Sequence, residues 1–317
     1  MKGRHMEISR VACVGAGLVG QGWATIFLSR GLEVIMQDIS QEILNESMKH
    51  IWLNLSFLET QGLVQQGNVE AGRDRIKTTT DIADACGRVD YVQESVPDIY
   101  EIKKRVFKEM DAATPAHAIL ASSASGLLMT DIQEVTTRPE RCVLVHPVLP
   151  VHLIPTVEIA GGEKTSRTTV QEACEFMERM GKSPVVLKRE VPGYIINRLQ
   201  AALLREAIDL VDKGIASPEE VDKAFCRGTG LRDPVVGPFL RMHIAGNGIE
   251  DFIKNFAQSY RYRWETMATW TSIPHSAIEA VIKGTKGMEV VCEKSLGEMR
   301  KWRDEMLIKI LKLIDNN

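Results

Sequence analysis

One segment narrows the possible folds more than any other. Val11-Ala12-Cys13-Val14 is an apolar run of strand length that leads without a gap into Gly15-Ala16-Gly17-Leu18-Val19-Gly20, after which Trp23, Ile26 and Phe27 recur at helical spacing. Strand, glycine turn and helix in that order build the phosphate-binding corner of a doubly wound sheet. The first glycine permits the tight turn, the second lets a pyrophosphate approach the backbone, and the third lets helix and strand pack closely. The phosphates then sit at the positive helix N-terminus, against the backbone of Leu18, Val19 and Gly20. Asp38 ends the next apolar run, where a carboxylate can bond the adenosine ribose. That carboxylate repels a 2′-phosphate and no arginine follows it, so the expected cofactor is NAD rather than NADP.

The rest of the first half fits such a sheet. Strand-like runs at Val11 to Val14, Val34 to Gln37, Tyr91 to Gln93, Ala118 to Ala121, Val143 to Val145, Thr156 to Ile159 and Val185 to Leu187 alternate with longer helical patterns. After Pro192 the strand runs stop, and Ile195, Leu199, Leu203, Leu204, Ala207, Leu210 and Val211 recur at helical spacing. Ser217-Pro218-Glu219-Glu220 reads as a capping box that starts another helix, Glu220 returning a bond to the cap. The expected fold is therefore α/β, a Rossmann-type mostly parallel sheet domain over residues 1–190 and an all-helical domain over 191–317, closely joined at Pro192-Gly193. Residues 1–5 read as a vector remnant ahead of a natural start at Met6.

Composition removes several function classes. A net charge of −3 with 26% charged residues leaves no basic footprint for nucleic acid. No apolar run is long enough to span a membrane and the N-terminus carries no secretion core, so the expected location is the cytoplasm. Six cysteines are scattered without C-x-x-C spacing, which argues against a disulfide framework and against a metal site.

The richest chemistry lies in Val145-His146-Pro147-Val148-Leu149-Pro150, which ends one strand and runs on to Val157-Glu158-Ile159 in the next. Ligands of open α/β sheets bind at the carboxyl ends of strands, which places His146 well. A neutral imidazole suits the removal of an alcohol proton near neutral pH, and Glu158 could fix its tautomer and balance its charge. A structural histidine is the alternative reading of the same residue.

Together with Val92-Gln93-Glu94-Ser95-Val96-Pro97, Ala121-Ser122-Ser123-Ala124-Ser125-Gly126-Leu127 and Pro192-Gly193-Tyr194-Ile195-Ile196-Asn197-Arg198, these residues give the chain a resemblance to the 3-hydroxyacyl-CoA dehydrogenase family, nearest to its free-acid branch. The resemblance implies a catalytic set of Ser125, His146, Glu158 and Asn197, with His146 as the base and Ser125 and Asn197 bonding the reacting oxygen. It implies cofactor contacts at Asp98 and Lys103, although relatives usually carry glutamate at the first of these. It also implies a homodimer formed through the helical domains.

The implied reaction is reversible NAD-dependent oxidation of the 3-hydroxyl of a small L-3-hydroxy acid, of carnitine or gulonate type, with the acyl-CoA thioester as the alternative substrate. Arg232, in Gly228-Thr229-Gly230-Leu231-Arg232, matches the position that holds a substrate carboxylate in gulonate-type relatives, and a structural ion pair is its other reading. Tyr260, Tyr262, Trp264 and Trp270 could cage a trimethylammonium group or build a subunit interface. Residues 46 to 66 offer only Lys49 and His50 as basic groups, which favours a free acid over the thioester. Three weaker readings compete. Gly161-Gly162-Glu163-Lys164 superficially offers the catalytic lysine of a hydroxyisobutyrate-type dehydrogenase. A crystallin-like structural role or an NAD sensor would keep the glycine turn without needing His146.

Overall fold

A computed structural model describes residues 8–315, so the start at Met6 and the remnant ahead of it lie outside the described residues. The chain divides into two compact units at Asn197 and Arg198.

The first unit is built on one sheet of eight strands: β1 Arg10–Val14, β2 Glu33–Gln37, β3 Ile76–Thr79, β4 Tyr91–Glu94, β5 Ile119–Ser122, β6 Cys142–Pro147, β7 Thr156–Gly161 and β8 Ser183–Val186. Their order across the sheet is β3-β2-β1-β4-β5-β6-β7-β8, with every pairing parallel except β6 with β7. Strand order reverses between β1 and β4, which opens a crevice at their carboxyl ends. β4, β5 and β6 are buried along their whole length, as strands covered on both faces must be.

Alternate residues of the central strands feed two cores. Trp23, Phe27, Tyr91 and Phe176 fill one face, with the Tyr91 and Phe176 rings 4.6 Å apart. Phe107, Met110, Leu120 and Tyr194 fill the other. β3 was not among the expected strands, because Ile-Lys-Thr-Thr carries one apolar residue and sits at the sheet edge with a neighbour on one side only. β8 is the opposite edge and tolerates Pro184 for that reason.

The helix Ile196–Asp212 carries the chain into the second unit, which continues through Pro218–Ala224, Pro238–Ile244, Ile249–Thr266, His275–Lys286, Glu289–Glu293 and Leu296–Asp315. Ser217 caps the second of these, its Oγ accepting the Glu220 N–H at 3.2 Å. Among the described residues of this unit, the buried apolar side chains are Ile208, Phe252, Ala268, Ala277 and Ile308 alone. Val235, Phe239, Trp264, Trp302 and Leu313 are all more than half exposed.

Candidate active site

Each glycine of the first turn answers a separate constraint. Gly15 has φ +99°, and a Cβ there would lie 2.7 Å from the Ser95 carbonyl at the end of β4. A Cβ at Gly20 would lie 1.9 Å from the Gly15 carbonyl oxygen. At Gly17, the N-cap of the helix Leu18–Ser29, a Cβ would meet no atom within 4 Å, so the turn is open on the side where a phosphate would approach. The first intrahelical acceptor is the Gly17 carbonyl, taken by Gln21 N–H at 2.9 Å, and the amides of Leu18, Val19 and Gly20 are the orphan donors of the helix end. A cleft of about 1190 Å³ runs from Gly15 and Gly17 past Asp38 to Ile39, Ile82 and Val106. The Asp38 carboxylate is fixed at its mouth, accepting Ala16 N–H at 2.6 Å and Ile39 N–H at 2.7 Å, which leaves lone pairs on both oxygens. Orphan amides at a glycine cap, an acidic group beyond the next strand and an apolar slot between them fit NAD.

His146 and Glu158 are direct cross-strand partners in the antiparallel β6–β7 pair, so their side chains leave the same face of the sheet. His146 Nδ1 lies 2.8 Å from Glu158 Oε2, with both side chains buried. The other oxygen, Oε1, accepts the backbone N–H groups of Ile195 at 2.8 Å and Ile196 at 2.9 Å, at the start of the helix Ile196–Asp212. Burial pushes the Glu158 carboxyl up. The bonds from His146, Ile196 and Ile195 and the nearby imidazole outweigh that and hold it below the usual carboxylate range. An ionised Glu158 only accepts, so Nδ1 carries the ring proton and the Nε2 lone pair is left for chemistry.

The residues around this pair hold it in place. Tyr194 is fully buried at φ +48°, its ring 5.2 Å from the His146 ring and its hydroxyl on the Leu127 carbonyl. Lys182 supports the β6–β7 connection, donating to the Val151 carbonyl and, at 2.8 Å, to that of Ile154. Burial lowers its pKa to about 7. Neither residue was among the sequence candidates.

Ser125 and Asn197 lie together, Asn197 Nδ2 donating to the Ser125 carbonyl at 2.8 Å. Asn197 lies in the first turn of the helix Ile196–Asp212, directly before the boundary between the two units. Asp98 accepts from Ser125 N at 2.9 Å and from its hydroxyl at 2.6 Å. Lys103 is 1% exposed and therefore not a solvated helix charge; it bonds Glu94 at 2.8 Å and the Val96 carbonyl at 3.1 Å, with Asp98 3.6 Å away. Lys164 is exposed beyond Gly161, which pairs with Val143 at the end of β6 away from His146, so the lysine-based alternative has its residue at the wrong end of the sheet. Among the described residues no His, Cys, Asp and Glu are grouped to hold a metal ion, and no helix is long and apolar enough to cross a membrane.

Comparison with known proteins gives this geometry a context. Residues 10–191 match the 3-hydroxyacyl-CoA dehydrogenase NAD binding domain and residues 193–290 the C-terminal domain of the same enzymes. The chain belongs to the 3-hydroxyacyl-CoA dehydrogenase family. As a member of that family it is an NAD-dependent dehydrogenase acting on a small molecule. It is 35% identical to an L-carnitine dehydrogenase of Oceanobacillus iheyensis over 98% of this chain and 99% of that one. It is 36% identical to an L-carnitine dehydrogenase of Streptomyces griseus, over 96% and 90%. Among solved structures, the 5-formyl-3-hydroxy-2-methylpyridine 4-carboxylic acid 5-dehydrogenase, an NAD-dependent dismutase, superposes with a TM-score of 0.84 at 28% identity, covering 98% of this chain and 99% of that one. The (S)-3-hydroxybutyryl-CoA dehydrogenase of Ralstonia eutropha superposes at 0.66 with 27% identity, covering 80% and 88%.

Proposed function

We propose that this dehydrogenase oxidises the 3-hydroxyl of a small free L-3-hydroxy acid, of carnitine or gulonate type, to the 3-keto acid, reversibly and with His146 as general base. The buried His146–Glu158 pair carries this reading, because it defines the tautomer that can take an alcohol proton. His146 Nε2 removes the hydroxyl proton, and the Glu158 carboxylate stabilises the imidazolium that results. Ser125 and Asn197 bond the reacting oxygen. The amides of Leu18, Val19 and Gly20, reached across Gly15 and Gly17, hold the pyrophosphate, and Asp38 holds the adenosine ribose. Bound NAD supplies the hydride acceptor. In the reverse direction His146 returns the proton.

Nearly full-length relatives named as L-carnitine dehydrogenases support a free acid. So does the helix Gln41–Thr60, whose only basic groups are Lys49 and His50, with Glu46 2.7 Å from the first and 3.5 Å from the second. Arg232, exposed in the second unit, is assigned to the substrate carboxylate by the family resemblance. Tyr260 already carries the Arg263 guanidinium 4.5 Å from its ring centre, which favours the interface reading of that aromatic stretch over a cation cage. Initial rates of NAD reduction with L-carnitine, L-gulonate and L-3-hydroxybutyrate, beside reduction of acetoacetyl-CoA by NADH, test the reading. Turnover of one free acid with little on the thioester is expected; rapid thioester reduction returns the chain to the acyl-CoA branch.

The second unit leaves Val235, Phe239, Trp264, Trp302 and Leu313 more than half exposed, and we assign these helix faces to a second copy of the chain. Light scattering at micromolar concentration is expected to give a dimer, and a monomer would refute that assignment. Six free cysteines suit the reducing cytoplasm, where we place the enzyme.

A further inference from the structure

We propose that the Ser95 hydroxyl donates a hydrogen bond to the ribose on the nicotinamide side of NAD, aimed there by a buried polar network beneath the cleft; this rests on the placement of the pyrophosphate at the glycine turn and of the adenosine ribose at Asp38. The network begins at Tyr91, which is fully buried and whose hydroxyl donates to Gln93 Oε1 at 2.7 Å. The Gln93 amide, also fully buried, donates through Nε2 to Ser123 Oγ at 2.8 Å and to the Val145 carbonyl at 3.4 Å. A carbonyl only accepts, so Val145 fixes which end of the amide faces Ser123. The Trp23 indole, which can only donate, gives Ser123 Oγ a second N–H at 3.0 Å.

Counting donors sets the direction of the last bond. A hydroxyl oxygen has two lone pairs and one proton. Gln93 and Trp23 take both lone pairs of Ser123, so its proton goes to Ser95 Oγ, 3.0 Å away. Ser95 therefore accepts inside the protein and keeps its own proton, for which no acceptor lies among the described residues. Ser95 is half-buried and lines the cleft beside Gly15, where a Cβ would lie 2.7 Å from the Ser95 carbonyl. It follows β4, which pairs with β1 on the side opposite β2. Asp38 follows β2. A dinucleotide whose adenosine ribose meets Asp38 and whose pyrophosphate meets the amides of Leu18, Val19 and Gly20 thus passes Ser95 with its nicotinamide half. Those amides serve the phosphates, which leaves the ribose beyond them as the acceptor of a neutral hydroxyl. Tyr91, Gln93 and Trp23 are all sealed from solvent, so the donor is oriented before the cofactor arrives.

The test is a ladder of ligands, AMP, ADP, ADP-ribose and NADH, titrated calorimetrically against the intact protein. Ser95→Ala is expected to weaken ADP-ribose and NADH by about 3- to 10-fold, the usual loss for one neutral hydrogen bond, while AMP and ADP bind as they do to the wild type. Ser123→Ala should weaken the same two ligands. In that background Ser95→Ala should cost less than in the wild type, because Ser95 has already lost the group that aims it. An equal cost in both backgrounds would overturn the network's part in the proposal. Unchanged ADP-ribose affinity in Ser95→Ala would overturn the contact, and so would an equal loss of ADP affinity, which would put the hydroxyl on the pyrophosphate. Asp38→Ala checks the placement underneath. All four ligands should weaken, and unchanged AMP affinity would overturn that placement rather than the role of Ser95 alone.

Discussion

His146→Gln is expected to lower kcat by roughly 10²- to 10⁴-fold while leaving NADH binding within error of the wild type. Glutamine preserves a polar side chain of similar length facing Glu158 but supplies no group that can take a proton near neutral pH. The cofactor cleft, built from Gly15, Gly17, Asp38 and their neighbours at the switch point, involves none of the atoms changed. Stopped turnover with intact binding is the result that separates a dehydrogenase from an NAD sensor or a crystallin-like protein, because those need the cleft alone. Activity retained at more than a tenth of wild type would remove His146 from the chemistry.

The parts of the fold that were legible in the sequence are those where backbone geometry dictates residue type. The turn at Gly15 needs φ +99° and the helix contact at Gly20 leaves no room for a Cβ, so both constraints are written as glycines. The buried strands β5 and β6 are legible for a related reason, since burial on both faces calls for apolar runs such as Ile-Leu-Ala and Cys-Val-Leu-Val. Edge strands face weaker demands, and β3 shows how little signal remains when one side of a strand has no partner.

At the site, residue types could be read but their pairing was less visible. Nothing in the spacing of His146 and Glu158 shows that they are opposite one another, but the connection through residues 148–155 is too short for a parallel crossover, and that length already implies a hairpin-like return. Lys103 also left a signal. It falls on the same helical stripe as Val106, Phe107 and Met110, which marks it as inward-facing despite its charge. The Asp98–Ser125 contact left none, because it joins loops after different strands and depends on register. Tyr194 is similar: only the adjacent Gly193 hints at the left-handed turn that lays its ring on His146.

Glu158→Ala is expected to damage stability as well as catalysis, because this carboxylate serves His146 and the start of the helix Ile196–Asp212 at once. Its removal leaves His146 Nδ1 and the amides of Ile195 and Ile196 without their acceptor. Breaking a buried pair from one side costs about 3–5 kcal/mol, a large share of the roughly 5–15 kcal/mol that holds a domain folded. A fall in Tm of about 10 °C near pH 7 is therefore expected. The pH dependence has a definite sign. The folded state holds the Glu158 carboxyl below its ordinary value of 4.5, so the stability it contributes is fully present above that pH and is lost as pH falls through the lower folded value. The Tm gap between wild type and Glu158→Ala should stay constant from pH 7 down to about 5 and narrow below about 4.5. A gap that is absent at pH 7 would mean that the pair contributes no net stability and that its retention serves the orientation of His146 alone.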